Sequence, residues 1–125
     1  FCKDDVSLKV IDHAHVFINQ TFWDANCLKR AMEENDLLVT KVLEYNSYLY
    51  EMFFHNFLIT KEMLERESLI FKNKISRDII IELISLVPDE WKPKQKDLDE
   101  LVKYILYRVG NLDVIISTIL TYNNR

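Results

Sequence analysis

The sequence predicts a mainly α protein, a helical bundle of about five helices behind a short N-terminal β-hairpin. Three observations carry this. The 125 residues include one glycine and two prolines, where average usage of roughly 7% would give about nine glycines. Folds built on many tight turns or phosphate-cradling glycine loops are thereby nearly excluded, including sandwiches, Rossmann units and P-loops. From about Phe22 onward, apolar residues recur at helical spacing. Only the opening residues alternate as a strand does. The expected organisation is a single domain over 1–125, with the hairpin in 1–18 and the bundle in 19–125.

The elements follow in chain order. Lys3-Asp4-Asp5 is a polar turn signal. Val6, Leu8 and Val10 then alternate with Ser7 and Lys9, with Ile11 next. A hairpin alone is marginal in water, so this one needs a layer to lie on. Phe22, Trp23, Leu28 and Met32 give a first helical stripe that ends near Asn35. The stretch from about Val39 to Ile59 is apolar nearly all round, the pattern of a helix buried on several sides. Thr60 is placed as an N-cap, with Glu62 in the first turn and Met63, Leu64, Ile70 and Phe71 as apolar positions.

Ser76 is a second N-cap, with Asp78 near the positive end of its helix. Ile79, Ile80, Leu83, Ile84 and Val87 follow as its core face, and Pro88 ends the helix. Asp89 to Pro93 is a linker, which Trp91 is expected to anchor. The lysines 92, 94 and 96 form a solvated run. Asp97 with Glu100 resembles a capping box. It opens the clearest stripe in the chain: Leu98, Leu101, Val102, Ile105, Val109, Leu112, Ile116, Ile119 and Leu120. One long helix to about Tyr122 is predicted, with Gly110 inside it at a cost of ~1 kcal/mol.

Charge and cysteines narrow the function. Sixteen basic against twenty acidic residues give a net charge of −4, which argues against a phosphate-backbone binder, so no nucleic-acid partner is expected. Hydrophobic residues at 49% and charged residues at 29% describe a folding chain, not a disordered one. No apolar run reaches the ~18 residues of a membrane span, and no membrane partner or signal peptide is expected. Two cysteines, Cys2 and Cys27, make no disulfide scaffold, and a cytoplasmic location is expected. Cys27 and His55 read as core residues. So does the aromatic group Tyr45, Tyr48, Tyr50, Phe53, Phe54 and Phe57. The chain opens with Phe1 rather than Met, and is expected to be part of a longer product or a processed one.

One motif carries chemistry. Val10-Ile11-Asp12-His13-Ala14-His15-Val16-Phe17 ends an apolar strand in an acid. A carboxylate at a strand end suits Mg²⁺, a hard cation usually held by one or two carboxylates plus substrate phosphates. Equally, Asp12 serves as the cap of a turn. His13 and His15 share a face if the chain stays extended. Two histidines are not a zinc site, and no Cys or Glu spacing completes one.

At that motif the sequence resembles the second half of a HipA-like kinase domain, an atypical Ser/Thr kinase related to the phosphatidylinositol kinases. In that family a hairpin after the catalytic loop ends in a metal-binding Asp, in the form I-D-H-x-x-x-F, as Ile11 to Phe17 does here. Trp23 is similarly placed after the motif. Val87-Pro88-Asp89-Glu90-Trp91 is similar to a later proline-then-Glu-Trp element, and Leu106-Tyr107-Arg108-Val109 to an Arg set among apolar residues in the closing helix.

The resemblance implies the C-lobe of a protein-kinase-like fold. It implies Asp12 as a Mg²⁺ ligand, with His13 as its neighbour, and Mg²⁺ and ATP as cofactors of a full-length parent. The nucleotide-covering loop, the phosphate-binding lysine and the catalytic Asp and Asn have no counterpart here. The chain alone is therefore expected to be inactive, to carry no catalytic residue and to bind no cofactor. Its partner is expected to be the missing N-terminal half of the kinase, or another copy of itself. Two other readings compete. One is a non-catalytic α-helical protein-interaction module, and the other a small metal enzyme using Asp12, His13 and His15.

Overall fold

The computed structural model describes residues 22–35, 37 and 59–123. They form helices α1 (Ala25–Glu33), α2 (Lys61–Lys74) and α3 (Arg77–Ser85), a 3₁₀ turn (Asp89–Trp91), and helices α4 (Gln95–Gly110) and α5 (Leu112–Asn123). The protein is mainly helical, with no strand among the described residues. The expected hairpin of 1–18 lies outside them. So does the apolar stretch from Val39, except for Ile59.

Local chemistry sets the helix starts. Asp24 is extended, and its Oδ1 accepts the Cys27 N–H at 2.8 Å, opening α1. The Thr60 hydroxyl accepts the Met63 N–H at 3.3 Å, opening α2. The Ser76 hydroxyl does the same for Ile79 at 3.3 Å, opening α3. Each side-chain oxygen satisfies an N–H that has no partner inside its helix. Helix α1 ends at Asn35, whose φ of 52° is left-handed. Asn tolerates that conformation better than most residues. As expected, α3 stops before Pro88.

Helix α4 is the hub, packing against α1, α3 and α5, while α2 packs on α5. The core joins Leu28 and Ala31 of α1 to Leu101 and Tyr104 of α4, with Trp23, Cys27, Met32 and Ile105 against them. Leu28 and Tyr104 are fully buried, and burying one such side chain is worth about 1.5–3 kcal/mol. Leu98, Val102 and Ile116 are also buried, and Ile105, Val109, Leu112, Ile119 and Leu120 are half-buried. The face expected from Leu98 to Leu120 is thus the packing face.

Four expectations need correction. The closing helix is two helices, not one. At Asn111 the backbone turns to φ −102° and ψ 20°, and the Asn111 side-chain amide donates to the Tyr107 carbonyl at 2.8 Å. A polar side chain inserted at a carbonyl, next to Gly110, is a sufficient cause of a kink. Asp97 is not an N-cap, because the helix already starts at Gln95 after an extended Lys94. Trp91 does not anchor the linker among the described residues, where it is 78% exposed. The linker is held instead by the turn bond from the Trp91 N–H to the Pro88 carbonyl and by the Lys92–Asp89 ion pair at 2.7 Å. Finally, only part of the stripes on α2 and α3 is covered. Ile80 is buried and Ile84 half-buried, but Ile79, Leu83 and Val87 face outward, as do Met63, Ile70 and Phe71.

Candidate functional site

Asp12 and His13, the residues singled out as a metal site, lie outside the described residues, as does His15. Among the described residues no group of three or more His, Cys, Asp or Glu is placed to hold a metal ion. What the structure does bring together is a set of polar contacts along the α1–α4 interface and two shallow grooves.

The best-defined polar contact is one that sequence reasoning assigned to another role. Asp97 is buried, and its Oδ1 accepts the Ala25 N–H at 2.8 Å. It therefore caps α1 from another helix. With Asp24 on the Cys27 N–H, two carboxylates satisfy donors in the first turn of α1, where the helix dipole favours negative charge. Asp24 is held below the usual carboxylate range, chiefly by the backbone N–H of Cys27. Glu62 at the start of α2 is lowered chiefly by its own backbone N–H and then by the Thr60 hydroxyl. Asp89 is lowered by its bond to Lys92.

At the other end of the interface the Tyr107 hydroxyl and Asn35 Oδ1 are 3.3 Å apart. Arg108 donates to the Leu37 carbonyl at 2.7 Å and to the Tyr104 hydroxyl at 3.3 Å. Its guanidinium carbon lies 5.8 Å from the Tyr104 ring centre, within cation–π range. Arg108 was marked in the sequence as part of a family-like element. Here its visible work is to hold the chain just after α1. Ala25 pairs with Asp97 and Asn35 with Tyr107, at the same separation of 72 residues. The two helices therefore run parallel and are pinned at both ends.

One groove, of about 250 Å³, lies between α3 and α4. Ile81, Ile84, Leu98 and Val102 form its apolar walls, and Arg77 and Lys92 are among its polar lining. The other, of about 450 Å³, lies between α2 and α5, lined by Lys61, Glu65, Ile116 and Leu120 among others. Glu65 and Asp113 both line the second groove with Ser117 and Thr121, and each carboxylate is paired with a lysine, Glu65 with Lys61 at 3.6 Å and Asp113 with Lys72 at 2.9 Å. Both are open surface clefts rather than the enclosed, mostly apolar pockets that mark a small-molecule site. Among the described residues, no helix is long and apolar enough to cross a membrane. No protein-family profile, curated protein or solved structure matches the chain.

Proposed function

We propose that the chain is the helical C-lobe portion of a HipA-like kinase, whose ATP-dependent phosphoryl transfer belongs to a longer parent and not to these residues. The observation that carries the reading is the order of its motifs: Val10 to Phe17, then Val87 to Trp91, then Leu106 to Val109. The local structure is compatible at two of them. The chain leaves helix α3 before Pro88 and makes a short turn through Trp91, and Arg108 sits in the last turn of α4.

In this reading Asp12 is the magnesium anchor and His13 its neighbour. Asp12 would hold Mg²⁺, which when bound would supply charge neutralisation to the phosphates. The acid's own contribution would be a hard oxygen ligand. Phosphoryl transfer is mostly positioning and electrostatic stabilisation, and one carboxylate supplies neither alone. The 125 residues by themselves are therefore expected to turn over no ATP.

The test is the reading frame upstream of Phe1 together with one variant. An Asp followed about five residues later by Asn, close before Phe1, is expected from the loop of such kinases. In the full-length product, Asp12→Ala is expected to lower ATP turnover on the order of a hundredfold or more, with thermal stability unchanged. A parent that lacks the upstream pair, or an Asp12→Ala variant with undiminished turnover, overturns the assignment.

A further inference from the structure

Helix α3 is apolar on two sides. One side, Ile80 and Ile84, turns toward the rest of the bundle. The other, Ile79 and Leu83 together with the capping residue Leu86 that follows the helix, is 39%, 57% and 73% exposed. These three stand at i, i+4 and i+7, so they form one stripe two turns long, about 10 Å. A helix apolar on both sides is the pattern of an element packed between two neighbours, and only one neighbour is present among the described residues.

The flank of this stripe is acidic. Asp78 and Glu82 each stand one residue before a stripe position and four residues from each other, on one edge. Both are exposed, and neither makes an ion pair among the described residues. Glu90 follows in the 3₁₀ turn, also exposed. The chain as a whole carries a net charge of −4.

We propose that the outer face of α3 is the seat of a partner protein's basic amphipathic helix. The partner's apolar residues would lie on Ile79, Leu83 and Leu86, and its Lys or Arg side chains beside Asp78 and Glu82. Helix recognition through anchors at this spacing is a recurring mode of binding, and opposite charges at the rim fix register and speed encounter. Self-pairing is disfavoured, because a second copy brings the same carboxylates to the contact. An anionic lipid surface is disfavoured for the same reason. The surface does not depend on the kinase reading: its stripe and flank are built from residues 78–86 and Glu90 alone.

Fluorescence anisotropy with two labelled synthetic helices tests this. Both carry Leu at i, i+4 and i+7; one is flanked by Lys and the other by Glu. The Lys peptide is expected to bind saturably, and more weakly as salt rises. Leu83→Ser and Leu86→Ser are each expected to weaken binding roughly tenfold while melting with the parent. Asp78→Asn combined with Glu82→Gln is expected to weaken it severalfold and to flatten the salt dependence. Four results overturn the proposal. The Lys peptide fails to bind, or the two peptides bind alike. Both serine variants melt well below the parent, showing the stripe to be covered within the chain. Or sedimentation shows a dimer that Leu83→Ser dissociates, showing the occupant to be a second copy. The Asp12→Ala variant is expected to bind the Lys peptide as the parent does, so this proposal and the kinase assignment fail separately.

Discussion

Asp97 shows how one carboxylate serves two helices. It sits in the first turn of α4, where the dipole favours its charge, and it receives the Ala25 N–H of α1 at 2.8 Å. Asp97→Ala leaves that half-buried donor without its acceptor and is expected to cost about 1–2 kcal/mol. Asp97→Asn keeps an acceptor oxygen and is expected to recover most of the loss, as urea denaturation of the two variants would measure. Asp24 is exposed and its pKa is lowered by the hydrogen bonds it accepts. A depressed carboxylate adds stability above its unfolded pKa, and that stability is lost as pH falls through the folded value. Asp24→Asn is therefore expected to lie below the parent in thermal midpoint at neutral pH and to converge with it in the acid range. A gap that stays constant with pH contradicts this account. The sequence marked Thr60 and Ser76 as caps because their partners lie three residues on. It misassigned Asp97 because its partner lies 72 residues away, and no local pattern announces that.

Among the elements, the α4–α5 pair is the instructive case. The apolar phase continues from Leu98 to Leu120, and the interhelical residue keeps helical bonding: Asn111 donates to Tyr107, and Ile115 donates to Asn111. The break is a kink in one apolar face and not a change of face. Gly110 is helical with no positive φ, and a Cβ added there meets nothing within 4 Å. Gly110→Ala is accordingly expected to stabilise the protein by about 0.5–1 kcal/mol, read as a higher midpoint in thermal unfolding. A destabilised variant would mean that the kink itself requires glycine. Helix α3 is the opposite case. Its stripe was legible as apolar, but periodicity reports hydrophobicity and not what covers it. Ile79 and Leu83 were read as core, and they face outward.

At the scale of the molecule, stability rests on α4, which contacts three of the other helices. Ile116 is buried on α5, the only described helix in substantial contact with α2. Ile116→Asp loses about 1.5–3 kcal/mol of apolar burial and adds the cost of a buried charge. It is expected to unfold the protein or to lower its midpoint far more than Ile105→Asp, because Ile105 is only half-buried; circular dichroism on heating both variants decides it. The kinase assignment belongs to this scale too. Its proposed acid, Asp12, rests on eight consecutive residues of sequence, and it lies outside the described residues. By itself the sequence determined the mainly helical class, the caps at Thr60 and Ser76, the stop before Pro88 and the buried face of the last two helices. These follow from backbone sterics, hydrogen bonds a few residues long and the 3.6-residue period. Only the tertiary structure decided that α1 lies parallel to α4, that Asp97 caps a distant helix, that Arg108 holds the Leu37 carbonyl, and that no described residue covers one side of α3. Each of those depends on which surfaces meet, and residues dozens of positions apart in the chain do not record that in any local pattern.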